Sequence, residues 1–217
     1  MSNMVEVKNV TKKFKHVTAL KDVSITFEQG KIHGVIGRNG SGKTVMFKCI
    51  CGFMEPSAGE IFVNGKRVIP ARMQDIGIII EDPGFIPGMN AFKNLKLLAS
   101  IHHKIKDDHI KDVIRQVGLD PDSKQPAGKF SLGMRHRLGI AQAIMENPPL
   151  LILDEPMNGL DKNGVLEMRT LLRKLCDENG TTIIMSSHYA EDIEALCDTV
   201  CEMDGGVLTK IRGHEEN

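Results

Sequence analysis

No stretch of the 217-residue chain approaches the roughly 20 consecutive apolar residues that a helix needs to cross a bilayer. The longest apolar blocks, such as Ile76 to Ile80 and Leu150 to Leu153, are strand-sized and end in charged residues. A signal-peptide core is missing too: residues 1–10 carry Glu6 and Lys8 within an alternating pattern, so the chain is expected to stay in the cytoplasm. Nor is there an excess of charge of either sign, with 28 basic and 28 acidic side chains. That balance argues against a dedicated nucleic-acid binder, and no nucleic-acid partner is expected. Five cysteines, an odd number without a secretion signal, predict reduced thiols and no disulfide framework. Internal repeats and low-complexity linkers are absent as well.

A hydrophobic content of 41% and a charged content of 26% are those of a globular protein. The length suits one α/β domain spanning residues 1–217, with room for an inserted subdomain. Val5 and Val7, then Val23, Ile25 and Phe27, alternate with polar residues and predict two half-buried strands. Glu60 to Val63 followed by Asn64-Gly65 predicts a hairpin. From about residue 90 to 147 the period changes to that of helices, with Leu95, Leu98 and Ile101, then Ile110, Val113, Ile114 and Val117, then Leu138, Ala141 and Ile144. Strand patterning returns at Leu150 to Leu153 and Thr182 to Met185, each followed by a helical stretch. Such alternation marks a parallel sheet covered on both faces. The expected fold is therefore a nucleotide-binding α/β core with an N-terminal antiparallel β portion and a helical insertion over approximately 90–147.

Two clusters invite a metal reading and do not support it. Cys197 and Cys201 lie four apart and could share a helix face near His188, but read as small buried apolar residues. His102, His103 and His109, interleaved with Lys106, Asp107 and Asp108, read as a solvated helix end.

Two motifs carry chemistry. Gly37-Arg38-Asn39-Gly40-Ser41-Gly42-Lys43-Thr44 fits G-x-x-x-x-G-K-[ST] between the apolar strand Ile32 to Ile36 and a helix start. The glycines allow a turn whose amides point at a polyphosphate, and the helix adds its positive end. Lys43 would reach the β- and γ-phosphates of ATP, and the Thr44 hydroxyl would ligate Mg²⁺. Farther along, the strand Leu150 to Leu153 delivers Asp154 and Glu155 at its C-terminal end, where open α/β sheets bind ligands. Asp154 would hold the metal and Glu155 would polarise the attacking water. Strand alternation is expected to send these two acids to opposite faces.

Together these motifs resemble those of P-loop NTPases, and a third narrows the resemblance. Phe130-Ser131-Leu132-Gly133-Met134, followed by Arg135 and Arg137, is similar to the signature sequence of ABC ATPases. Asn158-Gly159-Leu160-Asp161 resembles their D-loop, and Ser186-Ser187-His188 their switch-histidine motif. Phe14 stands where the family stacks an aromatic ring on adenine. The resemblance covers essentially the whole chain in the family's order. It implies a RecA-like P-loop NTPase core with an N-terminal antiparallel β subdomain and an inserted helical subdomain.

It also implies a head-to-tail dimer, expected to be a homodimer, beneath a separate transmembrane permease subunit on the inner face of the membrane. Each ATP would lie between the phosphate loop of one subunit, with Asn39, Gly40, Ser41, Gly42, Lys43, Thr44 and Val45, and Ser131 and Gly133 of the other. His188 would contact the γ-phosphate and attacking water, and Asp161 would link the two sites. Leu132 and Met134 replace the usual Gly and Gln of the signature, and Val45 replaces a hydroxyl residue.

The most informative departure is Glu81, where the family has a Q-loop Gln. A carboxylate still offers oxygen to Mg²⁺ but cannot donate an amide hydrogen bond. Glu81 with Asp82-Pro83-Gly84-Phe85 resembles the bacitracin-export and lantibiotic-immunity branch. The resulting expectation is an ATPase driving export of a peptide, drug or other amphiphile through a membrane subunit. The alternative is a nucleotide-gated mechanical or regulatory module that moves no solute. A DNA-repair or translation ATPase would call for a long coiled coil, a second cassette or a basic extension, which the sequence lacks.

Overall fold

The computed structural model describes residues 2–70 and 75–213. Strands β1 (Asn3–Phe14) and β2 (Val17–Glu28) pair antiparallel, and β4 (Ala58–Val63) joins the other side of β1. The short β5 (Lys66–Arg67) follows through Asn64 and Gly65, at φ 48° and 71°. Two positive φ values are what a type I′ hairpin needs, so the Asn-Gly reading holds.

The second sheet has six strands in the order β10-β9-β3-β8-β7-β6. These are β3 (Ile32–Ile36), β6 (Ile76–Ile79), β7 (Leu150–Leu153), β8 (Thr182–Ser186), β9 (Thr199–Asp204) and β10 (Val207–Arg212). All neighbours are parallel except the β9–β10 hairpin. Its central strands are apolar on both faces because each face meets a different core. Leu150 and Ile152 enter one shared with β1, β2 and helix α1 (Lys43–Ile50). Leu151 and Leu153 enter the other, beneath the remaining helices.

Between β6 and β7 lie α2 (Ala91–His102), α3 (Asp107–Gln116) and α4 (Leu132–Ile144). After β7 and β8 come α5 (Lys162–Asn179) and α6 (Ala190–Leu196). Side-chain caps fix where three of these helices start: Asn90 accepts from Lys93 N–H at 2.9 Å, Ser131 from Met134 N–H at 3.2 Å, and Asp161 from Gly164 N–H at 2.8 Å. Helix α4 lies directly on β6. A Cβ at Gly77 would overlap the Ala143 carbonyl oxygen, so this close approach needs glycine. That contact sets the direction of the chain running from β6 toward Glu81.

The cysteine expectation needs one correction. Cys197 caps the C-terminus of α6 and Cys201 lies in β9, so they share no helix face. Asp198 breaks the helix between them: its amide bonds to Ile32 O, and its carboxylate accepts from Ile32 N–H at 2.7 Å. All five thiols are free and buried. Burial pushes Cys49 up to about 11 and Cys51, Cys197 and Cys201 up to about 12. The thiolate is the reactive form. Native protein at pH 8 should therefore give almost no fast reaction with a disulfide reagent, and all five thiols should react once guanidinium is added. One rapidly titrating thiol in the native state would contradict this burial.

The histidine run also does more than face solvent. His102 Nδ1 meets the Glu146 carboxylate at 2.9 Å, and His109 Nε2 meets Met145 O at 2.9 Å. Together they tie α2 and α3 to the end of α4. No group of three or more His, Cys, Asp or Glu side chains suited to a metal occurs among the described residues.

Candidate functional site

The C-terminal ends of β3, β8, β7 and β6 lie side by side, and each delivers one part of the site. The turn after β3 is the glycine-rich loop. Met46 N–H is the first amide of α1 to bond back, to Gly42 O at 2.9 Å. Those of Lys43, Thr44 and Val45 belong to the unpaired first turn, where an anion is favoured. Val45 thus presents its amide although it has no hydroxyl. Lys43 is buried, and its amine donates to Gly37 O at 2.7 Å and Arg38 O at 3.1 Å, curling into its own loop. Ser41 Oγ is buried with no hydrogen-bond partner among the described residues, as expected of a hydroxyl meant for a ligand oxygen. Ala19, Asn39, Gly40, Lys43, Thr44 and Glu155 help line a cleft of about 130 Å³ there. An amide nest with a buried ammonium and an orphan hydroxyl fits a polyphosphate.

Beside it, Thr44 Oγ1 donates to Asp154 Oδ2 at 2.7 Å, and Ser186 Oγ donates to Asp154 Oδ1 at 2.5 Å. A hydroxyl and a carboxylate beside a phosphate cradle are hard oxygen donors. That set fits Mg²⁺, which is held by one or two carboxylates plus substrate phosphates. Glu155 comes next, but not by strand alternation. The strand ends at Leu153, and Glu155 has φ 52°, so a left-handed turn separates the two acids. Ser186 Oγ accepts from Glu155 N–H at 3.0 Å and holds that turn. The Glu155 carboxylate is gripped at both oxygens: Asn158 Nδ2 donates to Oε2 at 2.5 Å, and His188 Nε2 pairs with Oε1. His188 thus faces the acid at the end of the neighbouring strand.

Glu81, two residues past β6, also has a left-handed backbone, at φ 63°. Its carboxylate meets Lys48 Nζ of α1 at 2.6 Å. Behind it runs a larger groove of about 670 Å³, between residues 75–84 and helices α2 and α4. The chemistry-bearing groups gather at the smaller cleft, so the groove is a surface of another kind. Phe14 is 44% exposed at the end of β1, opposite Val17, with Lys12 Nζ 5.3 Å from its ring centroid. Ala19, two residues along β2 from Val17, lines the phosphate cleft, so this hairpin end borders the loop.

Ser131, Gly133 and Asp161 do not line the phosphate cleft; Ser131 caps α4, Asp161 caps α5, and Gly133 packs against the segment leading to Asp161. A Cβ at Gly133 would lie 2.7 Å from Gly159 O, and one at Gly159 would lie 2.6 Å from Leu132 Cγ. Leu132, a departure from the family pattern, therefore packs its side chain against Gly159. The segment from Glu155 through Asn158 and Gly159 connects the two groups of residues: Asn158 holds Glu155, and Gly159 lies against Leu132 and Gly133. Sequence reasoning passed over Ser186, Asn158 and Lys48 as partners of the acids, because these pairings depend on register and turn geometry.

The ABC transporter family model matches residues 20–158. The ABC transporter ATP-binding protein YybJ of Bacillus subtilis is 43% identical over 94% of this chain and 94% of its own length. The bacitracin transport ATP-binding protein BcrA of Enterococcus faecalis is 38% identical over 97% of this chain and 69% of its own. Among solved structures, the dimeric ATP-binding cassette MJ0796 in a post-hydrolysis state with ADP and phosphate aligns with a TM-score of 0.88. It covers 97% of this chain and 100% of its own at 24% identity, a likeness of fold. The fold and the phosphate cradle thus agree with relatives matched over nearly the whole chain, which belongs to the ABC transporter family as one of its ATP-binding, ATP-hydrolysing subunits.

Proposed function

We propose that this subunit drives export of an antimicrobial peptide or similar amphiphile through a separate membrane protein, by closing on ATP as a head-to-tail homodimer. The Thr44–Asp154 contact beneath the phosphate loop carries the chemical part of this reading. Lys43, the Ser41 hydroxyl and the unpaired amides of residues 43–45 hold the phosphates, and Phe14 offers its face to adenine. Thr44, Asp154 and Glu81 would hold Mg²⁺, which when bound would offset charge on the phosphates. Glu155 takes the proton of the attacking water, and His188 steadies that carboxylate and contacts the γ-phosphate.

Ser131 and Gly133 complete the opposite subunit's site, which explains why they do not line their own phosphate cleft. Asp161, capping α5 next to Gly159, links the two sites. The groove behind Glu81 takes a segment of the membrane subunit, supported by exposed Phe53 and Ile101, at 66% and 65%, on its rim. On this reading the protein works at the inner face of the membrane. Among the described residues no helix is long and apolar enough to cross it. The cargo class rests on the likeness to BcrA, a bacitracin transport protein by name, and on Glu81 in the Q-loop position.

The test is reconstitution with the membrane subunit in vesicles. Bacitracin-like peptides should raise ATP turnover and move across the bilayer. ATP turnover that no peptide stimulates, with no flux, would favour a mechanical or regulatory module. Within the site, Glu81→Ala should lower turnover about 10-fold or more while leaving metal-free ATP affinity, measured in EDTA, within a few-fold of wild type. Unchanged turnover with the membrane partner present would remove Glu81 from the site.

A further inference from the structure

Lys48 is the one basic side chain of α1 beyond the phosphate-binding Lys43, and it is spent on Glu81. The helix places it four residues after Thr44, one turn along the same half-buried face. Met46, Phe47, Cys49 and Ile50 are all buried, so α1 cannot rotate and Lys48 has a fixed origin. Its Nζ lies 2.6 Å from Glu81 Oε1, and the second oxygen has no hydrogen-bond partner among the described residues. Glu81 reaches this position on a left-handed backbone, φ 63°, directly after the strand anchored by Gly77 on α4. Glu81 keeps a 66% exposed side chain, and ion pairs at such sites add little to fold stability. A purely stabilising role therefore explains little about the pair.

We infer that Lys48 is the positioning residue for the Glu81 carboxylate, and that it is what makes Glu, and not Gln, the working residue at 81. This rests on the reading of Glu81 as a metal ligand. The reason lies in donors and acceptors. An ammonium only donates, and a carboxylate has two acceptor oxygens, so Oε1 serves Lys48 while Oε2 stays free for a cation. An amide has one acceptor oxygen. If Lys48 takes it, a Gln at 81 turns its NH₂ group toward the metal, and an NH₂ group cannot ligate Mg²⁺. The Lys48 charge also offsets the negative charge that Glu81 adds beside Asp154, Glu155 and a γ-phosphate. Holding a ligand from behind is how groups outside the coordination sphere tune metal affinity, by about 10–100-fold when removed.

The inference predicts an unusual pattern: a defect in Glu81→Gln that a second loss, at Lys48, repairs. The measurement is the tightening of non-hydrolysable AMP-PNP binding when Mn²⁺ replaces EDTA, read by calorimetry on the full chain. Melting temperatures alongside should stay within a few degrees of wild type for these surface changes. Glu81→Ala should lose about 10-fold of the metal-dependent tightening, and Glu81→Gln should lose a similar amount. Lys48→Met combined with Glu81→Gln should regain most of it, because the amide oxygen is then free to face the metal.

If Glu81→Ala tightens as wild type does, Glu81 is no ligand and the underlying reading falls. Suppose instead that Glu81→Ala is impaired. Then either a fully active Glu81→Gln or a double variant no better than Glu81→Gln overturns the role of Lys48 alone.

Discussion

Glu155→Gln is expected to bind ATP, lose about 10²–10⁴-fold of its turnover, and elute as a dimer in size-exclusion chromatography when ATP is present. The geometry makes the substitution unusually clean. Glu155 Oε2 accepts from Asn158 at 2.5 Å, and Oε1 faces His188 Nε2. A glutamine can direct its carbonyl oxygen to Asn158 and its NH₂ group to a neutral imidazole, keeping both contacts. What it cannot do is take a proton from water. Removing a negative charge beside the γ-phosphate also lowers repulsion with ATP, so affinity should hold or rise.

On the proposed cycle the closed dimer would then persist, because hydrolysis would be the step that opens it. Wild-type turnover in this variant would show that Glu155 is not the base. An inactive variant that binds ATP yet stays monomeric would sink the two-half-site reading of Ser131 and Gly133.

In the proposed dimer, the segment between those half-sites would have a physical role in timing. Asn158 holds Glu155, while Gly159, its neighbour, lies against Leu132 and Gly133 at the start of α4. A shift of α4 against a partner's nucleotide would therefore reach Asn158, which holds the proposed base, through two packed contacts. Leu132 strengthens this link where the usual glycine would leave a gap. A departure from the family pattern thus becomes a packing element.

Much of this was legible in the sequence because the chemistry demands contiguous residue types. A phosphate nest needs glycines at set spacings followed by Lys-Thr, and a buried parallel strand needs an apolar run before its acids. The Asn64-Gly65 hairpin was readable for the same reason: a local signal fixes a local conformation. Lys48 with Glu81 is different, since the partners are 33 residues apart and meet only because α1 packs under the sheet. Ser186 reaches both Asp154 and Glu155 because β7 and β8 pair with Leu153 opposite Met185. Nothing in Asp-Glu announces that the chain turns left-handed at Glu155. Strand alternation was therefore the natural expectation, and the turn replaced it. The two carboxylates still face different partners, Thr44 and Ser186 for one and Asn158 and His188 for the other, by a different cause.

The second large effect is expected at Gly37, where the loop leaves β3. Gly37 has φ 145°, and a Cβ there would overlap the Met203 carbonyl oxygen and come within 2.9 Å of Ser41 Oγ. Met203 is buried in β9, so its backbone cannot give way without disturbing the sheet. Gly37→Ala therefore combines an unfavourable φ with a backbone collision, each costing about 1–3 kcal/mol. Relief is available mainly by shifting the loop that carries Lys43 and the free amides. Loss of measurable ATP binding is expected, with a melting temperature lowered by several degrees.

Gly40 provides the internal control. It has φ 76° with nothing within 4 Å of a built Cβ, so Gly40→Ala meets only the left-handed penalty of about 1–2 kcal/mol. Its ATP affinity should fall far less than that of Gly37→Ala. Equal losses in the two variants would mean that exposure of the loop to ligand, not the seat of Gly37 against β9, governs the cradle.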